Sequence, residues 1–196
     1  MRMRRYDGFT IVELLIVIVV IGLLAAISIV AYRGIQQRST TAAYVSAVEQ
    51  WEKLLRTEYA LYGTLPNSGT GWSCVGNSSS NFTADSTLPA GVCLDVLDDG
   101  AGSSWQVSYD ATFMNQFKTI ANFPNGQVSK PLAFRLEHGT ATARGVIFNI
   151  IPVSSGFQVS LVWYPPDRST CGRGADEWAA NPYTTSAGCR VQFELL

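Results

Sequence analysis

The sequence predicts an α+β protein in which one long N-terminal helix packs on a four-stranded antiparallel sheet, with two disulfide-bounded loops. Three observations support this fold class: an uninterrupted apolar run near the N-terminus, an apolar stripe at helical spacing directly after it, and four strand-like runs in the C-terminal half. A chain of 196 residues is long enough for one well-packed domain plus an appendage. We therefore expect a single folded domain behind an N-terminal apolar segment.

The apolar run is long enough to cross a membrane. No charged residue lies between Glu13 and Arg33, and residues 14–31 are all apolar or small. As a helix they extend about 27 Å, close to the thickness of the hydrocarbon core of a bilayer. Three arginines within residues 2–5 precede the run, which predicts a cytoplasmic N-terminus and a chain that lies outside the cytoplasm after Arg33.

Two ordinary explanations compete for this segment. A cleaved secretory signal also has a basic start and an apolar core, but that core usually spans only about 7–15 residues. A plain single-pass anchor explains the length, with Glu13 close enough to the membrane interface to stay hydrated or protonated. Neither explanation accounts for the pattern of residues around Glu13.

A cut between Gly8 and Phe9 would give Glu13 a partner. The new α-amino group would lie four residues before the carboxylate, at a similar depth in the membrane. A buried acid is costly unless it is paired, and an ionisable group inside a membrane usually marks a functional contact. Glu13 could compensate the positive end of its own helix, or it could neutralise the amino terminus of a neighbouring subunit in a packed array of helices.

Residues 8–15, GFTIVELL, resemble the class III signal of the type IV pilin and pseudopilin superfamily. The resemblance covers residues 1–33: a basic leader, a small residue before the cut, Phe after it, Glu four residues further on, and then an apolar helix. It implies cleavage after Gly8 by prepilin peptidase and N-methylation of Phe9. It also implies that Glu13 docks against the Phe9 amine of a neighbour during filament assembly.

The resemblance also sets expectations for fold and partners. It implies the type IV pilin fold, and as partners it implies copies of the same chain, minor pilins, prepilin peptidase, the pilus or secretion platform, and membrane lipid before assembly. The sequence departs from the pattern at Asp7, where Lys or Arg is commoner. Residues 9–65 contain no proline, which argues against the helix kink that many major pilins have.

An amphipathic helix continues the apolar segment. Its apolar residues recur three or four positions apart, which places them on one face. They are Tyr44, Val48, Trp51, Leu55, Tyr59 and Tyr62. Gly63 and Pro66 are typical helix-terminating residues, so the helix is predicted to end near Leu61. These aromatic side chains are interpreted as core residues rather than as a ligand cage.

The four cysteines form two sequence-local pairs, Cys74 with Cys93 and Cys171 with Cys189. Zinc sites usually have CxxC spacing or nearby histidines, and the only histidine, His138, is far from both pairs. Disulfides are therefore favoured, and they indicate an oxidising, extracytoplasmic location. Three connectivities are possible; proximity and loop-closure entropy favour the local pairs, each stabilising by about 3 kcal/mol.

The C-terminal half is predicted to hold the sheet. Residues 67–104 are rich in Gly, Ser, Asn and Thr and predict a long surface loop, and Asp110 is expected to cap a short helix over residues 110–120. The predicted strands, of which the first three form a meander, are residues 132–136, 145–151, 157–164 and 190–195. One face of this sheet needs cover, which the amphipathic helix supplies.

Little in the sequence indicates catalysis. His138 lies at a predicted hairpin turn and every cysteine is expected in a disulfide, so no nucleophile and base form a credible catalytic set and we predict no enzyme activity. Asp95, Asp98 and Asp99 could offer oxygen ligands to Ca²⁺, but their spacing does not match an EF-hand, and solvated acidic turns are common. We therefore predict no cofactor. The net charge of −1 lacks the basic footprint of a nucleic-acid binder.

Three parts of the chain follow from this interpretation: a cytoplasmic leader over residues 1–8 that is removed, a transmembrane and assembly helix over residues 9–32, and an extracellular domain over residues 33–196. The leading hypothesis is a type IV pilus subunit that polymerises through its helix for adhesion, motility or DNA uptake. A pseudopilin of a type II secretion-like system shares the same signal. A membrane-anchored extracellular binding domain that never polymerises is the alternative from a different class.

Overall fold

The computed structural model describes residues 10–66, 71–76, 78–97, 104–118, 132–135, 140–165, 171, 176–178 and 188–196. The chain divides into two compact units, Met1–Arg38 and Ser39–Leu196. Each unit is described by itself below.

Helix α1 runs over Ile11–Tyr62, a length of 52 residues, and contributes to both units. It ends at Gly63, which has a φ of 68° and donates its N–H to the Tyr59 carbonyl at 2.7 Å. A left-handed residue at this position is the usual way to end a helix, and glycine adopts it without steric cost. The predicted helix and the role of Gly63 are confirmed.

The two parts of α1 differ in burial. Within the first unit, every described residue from 10 to 38 is exposed. Within the second unit, the predicted stripe turns inward: Tyr44, Val48, Trp51 and Leu55 are buried. Burial of the stripe decreases toward the end of the helix, where Tyr59 is half-buried and Tyr62 is exposed.

Nine strands are described, all in the second unit. They are β1 (Ser73–Cys74), β2 (Val92–Leu97), β3 (Trp105–Ser108), β4 (Leu132–Arg135), β5 (Thr140–Ala143), β6 (Val146–Val153), β7 (Gly156–Trp163), β8 (Asp176–Trp178) and β9 (Gly188–Leu195). They form two antiparallel sheets. The first sheet has the order β1-β6-β7-β9-β8, and the second has the order β3-β2-β5-β4.

The first sheet contains three of the predicted strands. The runs 145–151, 157–164 and 190–195 correspond to β6, β7 and β9, which are adjacent and antiparallel as expected. Alternate residues of β6 and β7 face opposite sides, as strand geometry requires. Phe148 and Leu161 pack with α1, whereas Ile147 and Val162 pack with the second sheet. Where these four residues lie, the first sheet is therefore the middle of three layers, between α1 and the second sheet.

The second sheet was not predicted. The run 132–136 was expected to begin the meander, but β4 pairs with β5 in the second sheet instead. Residues 92–97 were expected in a surface loop, but they form β2, whose Leu94 and Val96 are buried. The two errors have different causes. Strand β4 was recognised, but local sequence does not encode which strand it pairs with. Strand β2 was missed because six residues among turn-favouring sequence offer few apolar positions to reveal a period.

The predicted helix over residues 110–120 is shorter than expected. Helix α2 spans only Ala111–Met114, with Asp110 capping it by accepting the Phe113 N–H at 3.0 Å. After Met114 the chain continues in tight turns. The Lys118 N–H donates to the Glu58 side chain of α1 at 2.8 Å, so its hydrogen bond is not the one that a continuing helix would make.

Both disulfides of the fold prediction are present, with the sequence-local pairing. Cys74–Cys93 has a Cα–Cα distance of 5.8 Å and joins β1 of the first sheet to β2 of the second. Cys171–Cys189 has a Cα–Cα distance of 5.3 Å and ties residue 171 to β9. The first bridge therefore links two layers of the second unit.

The candidate assembly segment at the start of α1

Thr10 and Glu13 form a reciprocal cap at the start of α1. The Thr10 N–H donates to Glu13 Oε2 at 2.9 Å, and the Thr10 hydroxyl donates to the same oxygen at 2.8 Å. In return, the Glu13 N–H donates to Thr10 Oγ1 at 3.3 Å. This is a capping box, which satisfies backbone donors that a helix start leaves without partners.

The capping box was missed at the level of sequence, although its signal was present. The pattern Thr-x-x-Glu directly before an apolar run is the usual signature of this motif. The sequence predicted a local role for Glu13 at the positive end of its own helix, and the hydrogen bonds with Thr10 add a second one. Glu13 therefore has an intramolecular role in addition to any intermolecular one.

Within the described part of the chain, Thr10 bonds to only one oxygen of the Glu13 carboxylate. Both hydrogen bonds from Thr10 end on Oε2, and among the described residues Oε1 accepts none. The predicted cleavage and methylation residues, Gly8 and Phe9, lie outside the described residues. The geometry thus brings Glu13 to Thr10, and the predicted pair of Glu13 with a Phe9 amine stays a prediction.

The surface that follows Glu13 is apolar on all sides. Leu14, Ile18, Leu24 and Val30 represent it, each at least half exposed. By length and composition, α1 is the one helix among the described residues that could cross a membrane. Its polar Ser28 hydroxyl donates to the Leu24 carbonyl at 2.8 Å, so the helix satisfies this group itself.

The other candidates from sequence do not come together in the described structure. Asp95 lies half-buried in β2, paired with Gln106 and Thr142 on the neighbouring strands. Asp98, Asp99 and His138 lie outside the described residues. Among the residues that the structure describes, no three His, Cys, Asp or Glu side chains are grouped as a metal site would require.

Two buried charged residues were overlooked by the sequence reasoning. Glu58, with 2% of its surface exposed, accepts the Lys118 N–H, and the Lys118 ammonium lies 4.1 Å from the centre of the Tyr62 ring. Arg144 is equally buried and bonds to several backbone carbonyls. Sequence periodicity gives no signal for either, because charged residues between apolar ones are normally solvated.

The comparison with known families agrees with the N-terminal geometry. A family model described as the prokaryotic N-terminal methylation motif matches residues 3–29. This motif is the class III signal peptide of type IV pilins and pseudopilins. No solved structure matches the chain. The chain therefore carries the methylation motif, and the match extends from residue 3 into the apolar start of α1.

Proposed function

We propose that this chain is a structural subunit of a type IV pilus, which polymerises through its apolar helix into an extracellular filament for adhesion, motility or DNA uptake. The observation that carries the proposal is the methylation motif at residues 3–29, which extends into a helix whose residues 11–38 are all exposed. Transfer of such an apolar surface out of water is strongly favourable, so lipid or other helices are expected to cover it. A subunit that passes from membrane to filament uses both in turn.

Processing precedes assembly in this proposal. Prepilin peptidase removes residues 1–8, Phe9 is N-methylated, residues 9–32 hold the subunit in the cytoplasmic membrane, and residues 33–196 lie outside. The arginines within residues 2–5 support this orientation. The two disulfides support an oxidising location for the domain.

Glu13 connects processing to assembly. An ionised carboxylate in a water-poor helix array is destabilising unless a positive charge neutralises it. In the single chain, Thr10 supplies hydrogen bonds to Oε2 but no charge. The α-amino group that cleavage creates on a neighbouring Phe9 supplies that charge, and we place it at Oε1, which accepts no hydrogen bond from the described residues.

A set of matched variants separates the two roles of Glu13. Glu13→Gln keeps an acceptor for the capping box and removes the charge, Glu13→Ala removes both, and Thr10→Ala removes the capping partner and keeps the charge. We expect all three proteins to be inserted and processed. The number of filaments sheared from cells and counted by electron microscopy should fall at least about tenfold with Gln and with Ala, because loss of the carboxylate charge removes the pair with the neighbouring amine and leaves that amine uncompensated.

The alternatives give different outcomes. If Glu13 serves only as a helix cap, Glu13→Gln assembles as well as the wild type. A membrane-anchored binding domain forms no filaments in any background, and it tolerates all three changes. A pseudopilin carries the same motif and should show the same dependence on Glu13. Its assembly would be measured by secretion of a substrate protein, because it forms no long surface filaments at normal expression.

A further inference from the structure

Arg144 lies at the corner where the chain passes from the second sheet to the first. It follows β5, which ends at Ala143, and it precedes β6, which begins at Val146. The Arg144 N–H donates to the Cys93 carbonyl at 2.8 Å, and the next N–H, that of Gly145, donates to the Tyr44 hydroxyl at 3.3 Å. With a φ of 69°, Gly145 adopts the left-handed backbone that this corner needs.

The Arg144 guanidinium is surrounded by oxygen atoms of one loop. Its Nε donates to the Val92 carbonyl at 2.8 Å, its Nη2 donates to the Pro89 carbonyl at 2.8 Å, and its Nη1 donates to the Thr83 carbonyl. A carboxylate completes the set, because Asp85 Oδ2 lies 3.4 Å from Nη1. Only 2% of the Arg144 side chain is exposed, so these oxygens replace its water.

The same loop is organised around the other oxygen of Asp85. Asp85 Oδ1 accepts the Thr87 N–H and hydroxyl, both at 2.7 Å, and the Leu88 N–H at 2.9 Å. Across the base of the loop, the Gly91 N–H donates to the Phe82 carbonyl at 2.8 Å. Residues 83–87 are nevertheless all exposed. An exposed loop therefore lies directly against one buried cation.

The oxygen set is the kind that a divalent cation takes. Ca²⁺ in proteins is bound by carboxylate and backbone carbonyl oxygens, often from a single loop. Here three carbonyls and one carboxylate converge on a guanidinium, whose planar fork of donors suits several fixed acceptors and which stays charged at every physiological pH.

We propose that Arg144 serves as a built-in cation that orders residues 82–92 and couples the two sheets without a bound metal ion. This goes beyond the proposed function, because it concerns how the exterior of the domain keeps its shape where free Ca²⁺ varies. The Cys74–Cys93 bridge closes the same region covalently. The bridge closes the longer segment 74–93, and Arg144 orders residues 82–92 within it.

The first test uses the unaltered full-length protein in detergent micelles. Its Tm is measured with excess EDTA and with millimolar CaCl₂. We expect the two values to agree within about 1 °C, since a ligand that binds only the folded state raises Tm. A rise of several degrees with Ca²⁺ that EDTA reverses would overturn the proposal, because a metal ion would then hold the domain.

The second test asks whether Arg144 orders the loop. Arg144→Met keeps the stem and removes the cation, Arg144→Lys keeps the charge without the fork, and Arg56→Met is a matched control at an exposed arginine, 47% exposed and bonded to Glu52. Hydrogen exchange is followed at the amides of Leu88 and Gly91. We expect protection to fall at least about tenfold with Met, to fall less with Lys, and to stay unchanged in the control.

Unchanged protection at Leu88 and Gly91 in Arg144→Met would contradict the proposal. If that variant does not accumulate, Arg144→Lys and the metal titration of the wild type still decide the question. Equal loss in Arg56→Met would also contradict it, because the effect would then reflect general destabilisation. Filament assembly is not the readout, so failure of the pilus proposal and failure of this one are distinguishable.

Discussion

The two parts of α1 have the same backbone structure and opposite surroundings. In the first unit Leu24 is 60% exposed and Val30 is 73% exposed, whereas in the second unit Trp51 is 1% exposed and Leu55 is completely buried. Both parts are rich in apolar residues. The apolar residues of the second part therefore pack on the first sheet, whereas those of the first part are exposed in the described structure and, under the proposal, pack on lipid or on neighbouring helices.

The sharpest way to test this comparison is to remove equal volumes from the two parts. Leu55→Ala leaves a cavity between α1 and the first sheet, and we expect it to lower the free energy of unfolding by about 2–5 kcal/mol. Leu24→Ala removes the same atoms from an exposed position and should change the free energy of unfolding by less than about 0.5 kcal/mol. Denaturant unfolding of the full chain in detergent, followed by tryptophan fluorescence, measures both.

Equal destabilisation by the two changes would contradict the comparison. It would mean that Leu24 has a partner within the single chain. Filament yield should respond differently from stability. Leu24→Ala should lower the filament yield although it leaves the free energy of unfolding nearly unchanged.

The disulfides provide a second contrast, because both lie in the second unit. Replacing Cys74 and Cys93 together by serine removes the covalent link between the two sheets. We expect a loss of about 3 kcal/mol from the free energy of unfolding, with little change in the helical signal of residues 11–38. Circular dichroism at 222 nm and thermal unfolding measured on the same sample check this. A loss of the whole helical signal at low temperature would show that the first unit depends on the sheets.

A third prediction concerns the buried acid of α1. Glu58→Ala deprives the Lys118 N–H of its acceptor, which should lower the free energy of unfolding by about 1–3 kcal/mol. Glu58→Gln retains an acceptor oxygen and should recover a substantial part of that loss. The pair is compared by chemical denaturation. Equal losses for Ala and Gln would indicate that the negative charge of Glu58, rather than this hydrogen bond, stabilises the domain.

The smallest expected effect is a pH dependence at Asp85. Hydrogen bonds from the Thr87 hydroxyl and the Thr87 and Leu88 amides, with a further contribution from the Arg144 charge, lower the pKa of Asp85. Its folded-state pKa therefore lies below the unfolded value of about 3.9, so its stabilisation is complete above that pH and is lost as pH falls through the folded-state pKa. Asp85→Asn should accordingly lower Tm at neutral pH, and its difference from the wild type should shrink in acid.

This difference in Tm is measured at a series of pH values between about 7 and 2. A difference that stays constant over the whole series would contradict the assignment, because the effect would not come from ionisation of Asp85.

Much of the fold was predictable because its signals are periodic or covalent. The long apolar run, the helical stripe through Trp51 and Leu55, and the terminating Gly63 defined α1. Sequence proximity favoured the two disulfides. Strands β6, β7 and β9 are long, with eight residues each, and carry enough apolar positions to be recognised.

The second sheet was not predictable for physical reasons. Strand β5 reads Thr-Ala-Thr-Ala, whose alternation is weakly apolar, and β2 lies within sequence that favours turns. Their stability comes from contacts between layers, such as Leu94 and Val96 against Ile147 and Val162, which no local pattern encodes.

The candidate site shows the same division. The motif around Glu13 was recognisable from residue types and spacing, and the capping box was present in the same letters but was overlooked. The burial of Glu58 and Arg144 depends on segments about 60 and 52 residues distant in sequence, which only tertiary structure brings together. Local chemistry could be predicted, but long-range partners could not.

The mass of the mature N-terminus tests the central claim most directly. The protein is purified from the membranes of cells with an active prepilin peptidase, and its N-terminal peptide is analysed by mass spectrometry. The account predicts that the chain begins at Phe9 and that the α-amino group of Phe9 is methylated. A chain that retains residues 1–8, or one cut after the apolar run near Ala31, would contradict the proposal that Glu13 awaits an amine created by processing.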